Sequence, residues 1–207
     1  MRLQLRFALA SAVLVLVGLN PARASEFRGL YVDAFHPGFK SHEEVTQMVA
    51  AAKAANFNAL IVQVRKRGDA YYNSHIEPKA SDISAGYDPL ADIITQAHAQ
   101  GLEIHAWLAV YEVSHTKYSN LPEVHIARAH PEWLMCNRKG KTSVGDGKIY
   151  VDPGVPAVRE HFVSIVTDLL ARYQIDGIHL DNIRYPYLNQ GYNAIVAVQR
   201  KLDNLHP

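Results

Sequence analysis

Four times along this chain a short apolar stretch is followed by a segment with helical spacing, and that repeat limits what the chain can fold into. The apolar stretches lie at about 28–34, 59–65, 104–110 and 176–181. Between the first two, Ser41 and Glu44 form a capping-box pattern ahead of Val45, Met48, Val49 and Ala52, which share one helical face. Before the third, Asp88 and Pro89 open a helix as N-cap and first helical residue, and Gly101 closes it. Before the fourth, Val158, Phe162, Ile165, Leu169 and Tyr173 line a helix over 155–173. A last amphipathic segment carries Ile195, Val198, Leu202 and Leu205. Strands joined through helices run parallel, because each crossover must be covered by its helix.

A parallel sheet of this kind is either open, with helices on both faces, or curled into a barrel with helices outside and a lumen within. Side-chain parity separates the two, since residues i and i+2 of a strand share a face. Leu30, Val32 and Ala34 oppose Gly29, Tyr31 and Asp33; Leu60, Val62 and Val64 oppose Ile61, Gln63 and Arg65. Ile104, Ala106 and Leu108 oppose His105, Trp107 and Ala109; Ile178 and Leu180 oppose Gly177, His179 and Asp181. Each strand has one apolar face and one that turns polar toward its C-terminal end. An open sheet buried on both faces would read apolar throughout. The pattern predicts an α/β fold of the (β/α)₈ TIM-barrel type, with the first four strand–helix units present.

In such barrels the reactive groups gather at the C-terminal ends of the strands. Those positions hold Asp33 and His36; Gln63, Arg65 and Asp69; Trp107, Tyr111 and Glu112; and His179, Asp181, Asn182 and Arg184. Carboxylates, aromatic rings and hydrogen-bonding side chains at one mouth suit sugar chemistry. Glycosidic cleavage takes two carboxylates, one to protonate the leaving oxygen and one to act as nucleophile or base. Asp181, ending a buried strand, is the first candidate for a catalytic carboxylate and Glu112 the second. Asp33, Gln63, Arg65, Asp69, Trp107, Tyr111, His179, Asn182 and Arg184 are candidates for holding substrate. Asp152 is read as a cap for the helix that follows it, and His98, His125 and His161 as surface residues. The connection from Glu112 to Asp152 is long enough to suggest a functional loop.

The N-terminus reads as an export signal. Arg2 and Arg6 precede an apolar run from Phe7 to Gly18, and Ala22-Arg23-Ala24 offers the small residues a signal peptidase reads. The run is shorter than the roughly 20 residues a bilayer span needs. The expected product, residues 25–207, is secreted or periplasmic without stable membrane insertion. Of the chain's 21 basic residues three lie in that leader, which leaves 18 against 20 acidic ones. No basic footprint for a nucleic-acid backbone results. Cys136 is the single cysteine, so no disulfide framework is available, and it reads as a packed residue.

Several stretches resemble the glycosyl-hydrolase-like family 10, a group of secreted bacterial proteins. They are Arg28 to Val32, "NALIVQVRKRGDAYY" at 58–72, "YDPLADIITQAHAQGLEIHAWL" at 87–108, "HPEWLM" at 130–135, "YVDPGVPAVREHF" at 150–162 and "YQIDGIHLDNIRYP" at 173–186. The resemblance implies a (β/α)₈ barrel acting on polysaccharide, with bacterial cell-wall glycan as a plausible substrate. It maps the family's strand-four aspartate onto Asp181 and the arginine of the following turn onto Arg184. Where the family has Asp or Tyr, this chain has Asn182.

The expected function is therefore a glycosidase that needs no cofactor or metal. A glycan-binding protein without activity is the alternative, and a metal-dependent deacetylase a lesser one, since neither His-x-His nor His-Glu-x-x-His occurs. Four more units would close the barrel. The chain reads as the N-terminal half of one, a fragment without any carboxylate that strands five to eight would supply, inactive alone and prone to self-association through open strand edges. Two outcomes are expected. Exported from a bacterial host, the protein should begin at Ser25 by intact-mass measurement; a retained leader would refute the cleavage site. Residues 25–207 alone should elute from a sizing column above monomer mass; a monomer that hydrolyses glycan would overturn that expectation.

Overall fold

The computed structural model describes residues 26–115, 121–145 and 147–203. The leader therefore lies outside the described residues, as does Leu205. The chain begins with β1 (Gly29–Val32), α1 (His42–Ala54), β2 (Ala59–Arg65), α2 (Pro89–Ala99) and β3 (Glu103–Ala109). The long connection then holds β4 (Glu112–Ser114), α3 (Ile126–Ala129), a 3₁₀ turn (Pro131–Trp133), β5 (Ser143–Val144) and β6 (Lys148–Tyr150). It is followed by α4 (Pro156–Arg172), β7 (Gly177–Asp181) and α5 (Ala194–Leu202). Four strands form one parallel sheet in the order β1-β2-β3-β7, and the connection makes a separate antiparallel sheet in the order β4-β6-β5.

Local chemistry explains where the helices start. The Ser41 side chain accepts the Glu44 N–H at 3.3 Å, and Asp88 accepts the Ala91 N–H at 3.2 Å with Pro89 just inside the helix. The capping box is only half closed, because the Glu44 carboxylate takes the N–H groups of Gly38 and Lys40 instead, each at 2.8 Å. It thereby fastens the β1–α1 loop onto α1.

One apolar layer covers the outer face of the sheet. Val32, Leu60, Val62, Val64, Ile104, Ala106 and Leu108 are buried against Val45 and Val49 of α1, Leu90 and Ile93 of α2, and Ile165 and Leu169 of α4. The opposite face carries the other parity: Tyr31, Ile61, Gln63, His105, Trp107, His179 and Asp181. On that side Tyr31 meets Trp107 and His179 with ring centroids 5.4 Å apart in each case. Tyr31 is on the first strand of the sheet and His179 on the fourth. In a flat sheet their backbones would stand about 14 Å apart, given strand spacings near 4.8 Å. Contact across two intervening strands requires the sheet to curl concave on this face. The fold is the half-turn of a (β/α)₈ barrel. Gly177 contributes to the curl: a Cβ there would fall 2.3 Å from the His105 ring, which lies across β7.

The parity breaks at one place. Between Gln63 and Arg65 the β2–β3 register shifts, so that Gln63 pairs with Trp107 but Arg65 pairs with Leu108, an outer-face residue. A bulge inserts one residue and turns the side chain to the other side. Arg65, expected at the lumen, is 1% exposed and lies 5.7 Å from the Phe162 ring of α4. Its Nε donates to Glu77 at 2.8 and 3.0 Å and its Nη2 to Glu77 at 2.7 Å, while Nη1 donates to the carbonyls of Ala109 and Val110. The substrate-binding expectation for Arg65 is thus corrected: every donor group is engaged inside the protein.

Burial alone would raise the Glu77 pKa, but the charge and hydrogen bonds of Arg65, with the His161 ring 3.9 Å away, outweigh it and hold the group at about 2. A carboxylate depressed in the folded state stabilises above its unfolded value of about 4.5, and that contribution is lost as pH falls toward 2. Urea titrations should show stability dropping across that window. Glu77→Ala should remove about 3–5 kcal/mol at pH 7, because it strands a buried guanidinium. A loss under about 1 kcal/mol would show that the pair is not the anchor described here.

Candidate active site

β7 delivers Asp181 to the C-terminal rim of the concave face, partly open to solvent. Its Oδ2 accepts the indole N–H of Trp107 at 3.2 Å and its Oδ1 accepts the N–H of Asn182 at 2.7 Å. Its own carbonyl takes the Val110 N–H at 2.8 Å, which ties the ends of β3 and β7 together. His179, two residues earlier on the same face, lies edge-on to Trp107 at 6.3 Å. Tyr31 closes the cluster, its hydroxyl 3.5 Å from His179 Nε2. Asp181, Trp107 and His179 were expected together from parity. Tyr31 is a residue the sequence reading left out of the site, although its parity with Gly29 and Asp33 already placed it on the lumen face.

Immediately after Asp181 the chain turns through Asn182, whose φ of 55° is left-handed, a region Asn tolerates better than most residues. The turn brings Asn182 and Arg184 to one cleft of about 350 Å³ with Lys148, Tyr150 and Tyr187. Glu112 stands behind this wall. Its side chain is 9% exposed, and Oε2 accepts the Tyr150 hydroxyl at 3.2 Å. The same oxygen lies 3.8 Å from the Lys148 ammonium, while Oε1 lies 3.5 Å from Arg67 Nε. This enclosure fits a carboxylate that positions Tyr150 and Lys148 better than an acid open to a leaving group.

Other expected substrate ligands serve the backbone. Gln63, 3% exposed, accepts the Ala34 N–H at 3.0 Å and so fixes the exit of β1. Asp33 accepts the N–H groups of Phe35 at 2.7 Å and His36 at 3.0 Å, and His36 Nδ1 lies 3.0 Å away. Partial burial would raise Asp33, but these partners hold its carboxyl below the ordinary aspartate value. Asp69 accepts the Arg67 N–H at 2.8 Å across a tight turn. Tyr111 is half-buried between two apolar clusters, and burial pushes its hydroxyl pKa up. Gln63, Asp33 and Asp69 are polar residues at strand ends whose pattern looks like a site but whose hydrogen bonds close loops.

Two further readings change. Asp152 is no helix cap, since α4 begins at Pro156 with Val155 as its N-cap and no side-chain cap bond. It is fully buried, its Oδ1 accepting Gly154 N–H at 2.9 Å and the Tyr185 hydroxyl at 2.8 Å. His125 is buried rather than superficial, with Nε2 2.8 Å from the Arg67 carbonyl, and burial lowers its pKa. Among the described residues no three His, Cys, Asp or Glu side chains are grouped as metal ligands, and no helix is long and apolar enough to cross a membrane.

With this geometry in hand, comparison with known proteins is direct. The sequence profile of the glycosyl hydrolase-like 10 family matches residues 26–203. The chain belongs to that family. It is 32% identical over 153 residues to "Glycosyl hydrolase YngK" of Bacillus subtilis, covering 70% of this chain and 28% of the relative. It is 29% identical over 136 residues to "Glycosyl hydrolase DigH" of Escherichia coli K12, covering 62% and 31%. The chain thus spans less than a third of the curated relatives it matches. Among solved structures, a hypothetical protein from Ruminiclostridium thermocellum superposes with TM-score 0.62 at 16% identity, covering 86% of this chain and 93% of that one. Flavobacterium johnsoniae chitobiase superposes with TM-score 0.60 at 16% identity, over 87% and 27%. At such identities the structural likenesses bear on the fold alone, an α/β barrel.

Proposed function

We propose that this family member cleaves glycosidic bonds in a polysaccharide, bacterial cell-wall glycan in the first instance, and does so outside the cytoplasm after loss of its leader. The observation that carries the proposal is Asp181: a partly open carboxylate at the C-terminal end of a barrel strand, on the concave face, oriented by Trp107. The curated relatives are named glycosyl hydrolases, and the Phe7–Gly18 run with Ala22 and Ala24 supports export.

The reading assigns roles as follows. Asp181 faces the anomeric carbon and acts as nucleophile or base. Trp107 is a positioning residue: its N–H to Oδ2, with the Asn182 N–H to Oδ1, fixes the orientation of the carboxylate, and its ring, Tyr31 and His179 form the floor beneath the sugar. Arg184 and Asn182 hydrogen-bond hydroxyls in the adjacent cleft. Glu112 holds Tyr150 and Lys148 in place at that cleft's wall.

The test uses the gene product at its full genomic length and reads reducing-end release from purified cell-wall glycan alongside glycan binding. Asp181→Asn should lower kcat at least about 100-fold while leaving the binding constant nearly unchanged. Trp107→Phe keeps a ring but removes the donor to Asp181, and should lower kcat about tenfold or more with KM little altered, as expected for a hydrogen bond to a charged group. Binding without cleavage by the unmodified protein would instead favour the glycan-binding alternative. Unchanged turnover in Asp181→Asn would remove Asp181 from the mechanism.

A further inference from the structure

His125 is a titratable group that the candidate site does not use. It stands just before α3 on the connection after β3 and is 2% exposed. Both ring nitrogens are engaged. Nδ1 lies 3.2 Å from the Ala127 amide nitrogen, and Nε2 lies 2.8 Å from the Arg67 carbonyl oxygen. A backbone N–H only donates and a carbonyl only accepts, so the partners dictate the state of the ring. Nδ1 is bare and Nε2 carries the hydrogen, which is neutral imidazole in one tautomer. A second proton can go only to Nδ1, where it meets the Ala127 N–H and puts a charge among buried groups.

The two bonds join separate parts of the fold. Ala127 belongs to the small core of the connection, with Val113, Ile126 and Leu134. Arg67 and Gly68 belong to the loop that leaves β2. Gly68 has φ +75°, and a Cβ there would fall 2.8 Å from His125 Nε2 and 3.2 Å from Ile126, so loop and layer approach as closely as a glycine allows. From this contact the Arg67 side chain reaches toward the cleft: its Nε is 3.5 Å from Glu112, which holds Tyr150 and Lys148.

We propose that His125 is an acid-sensitive latch: as neutral imidazole it clips the loop after β2 to the folded connection, and a proton taken up at Nδ1 opens the clip, frees Arg67 from its place beside Glu112 and loosens the cleft wall while the barrel stays folded. The latch stands on its own geometry; its effect on turnover rests on the glycan-acting reading above.

The charges around the ring agree. Burial, the largest influence, and the Arg65 charge disfavour the proton, while the bond to Arg67 and the Glu77 and Asp69 charges favour it; the outcome is a pKa below the ordinary 6.5. Lys66, Arg67, Lys79 and His115 line the adjoining cavity of about 270 Å³ with Asp69, a wall with more basic side chains than acidic ones. A base depressed in the folded state stabilises the closed form above 6.5, and that contribution is lost as pH falls through the folded value. The opened form takes the proton with ordinary affinity, so opening gains up to about tenfold for each pH unit below 6.5 until the folded value is reached. The loss begins above the range of about 4.5 to 2 in which Glu77 protonates.

Amide hydrogen exchange tests the latch on the full-length gene product at about pH 7 and about pH 5, with rates corrected for the intrinsic pH dependence of exchange. Peptides spanning 121–130 should lose about tenfold in protection at the lower pH, and peptides spanning β2 should not change. In His125→Gln, whose amide can accept and donate but takes no proton, the loss should shrink below about twofold. On cell-wall glycan the fall in wild-type kcat between the two conditions should exceed that of His125→Gln by about threefold or more, with equal kcat at neutral pH. Titration of Asp181 is common to both proteins and cancels. Protection equal at the two pH values, or lost equally in His125→Gln, would overturn the latch. The expected exchange with superimposable kcat profiles would overturn its effect on turnover. Absence of turnover throughout would remove the glycan reading and leave exchange to decide the latch. Should His125→Gln not fold, the ring ¹⁵N shifts of the unmodified protein decide: the Nε2–H tautomer at neutral pH supports the latch, and an imidazolium there refutes it.

Discussion

The position of Asp181 depends on a buried ion pair on the other side of the sheet. Glu77 holds Arg65, Arg65 holds the carbonyls of Ala109 and Val110, and the Val110 N–H holds the carbonyl of Asp181. Three strand ends are thereby locked in one relay. A buried pair of this kind gains little net stability over a well-packed apolar pair, because desolvating both charges offsets their attraction. What it supplies is direction. A guanidinium with donors spread in a plane can bind a carboxylate on one edge and two backbone carbonyls on another, which no aliphatic side chain can do. The peptide joining Ala109 to Val110 must point its carbonyl one way to satisfy Arg65, and its N–H, on Val110, then holds β7 at its last residue.

This arrangement also explains where the sequence could and could not be read. Parity alone separated the helix-facing residues of β1 and β3 from those facing the lumen, because those strands keep a strict period of two and one face packs on helices; on β7 Ile178 packs there too, but Leu180 is 44% exposed. The helix starts at Ser41 and Asp88 followed from capping chemistry. Arg65 could not be placed, since nothing in "VQVRKR" signals that the ladder slips between Gln63 and Arg65. A bulge is a property of two strands together, not of one. Asp33, Gln63 and Asp69 were misleading for a different reason. Loops leaving strand ends have unpaired N–H groups, and the polar side chains that satisfy them sit where catalytic groups would sit. α5 shows the same limit in apolar form: Ile195, Val198 and Leu202 make a helical stripe, yet they are exposed and Val196 is the residue buried, packed against Gly154.

The long connection after β3 was legible as a functional excursion but not as a sheet, because β4, β5 and β6 have only two or three residues each, too few for a period to show. Its stability comes from a small core of its own, Val113, Ile126, Leu134, Ile149, Val151 and Val155, with Val196 of α5 completing it. The excursion is therefore neither a flexible lid nor part of the main core. It is a second folded layer resting on the barrel rim.

That layer is fastened to the turn after β7 by polar contacts rather than by area. Tyr185 donates to Asp152, Asn193 donates to the carbonyls of Glu132 and Leu134 at 2.8 and 2.9 Å, and the Tyr192 N–H donates to the Cys136 carbonyl at 3.0 Å. Burial and the Asp152 carboxylate push the Tyr185 hydroxyl pKa up, which keeps it a donor throughout the ordinary pH range. Asp152 accepts this bond while its other oxygen, Oδ2, is buried without a hydrogen-bond partner among the described residues. An incompletely satisfied buried carboxylate is costly, so the contact it makes must matter to the geometry. Holding Tyr185 fixes the stretch between it and Asp181, and with it Asn182 and Arg184. The rim is thus set from two directions, from below by the Arg65 relay through β3 and from above by Asp152 through Tyr185, and Asp181 lies where the two constraints meet.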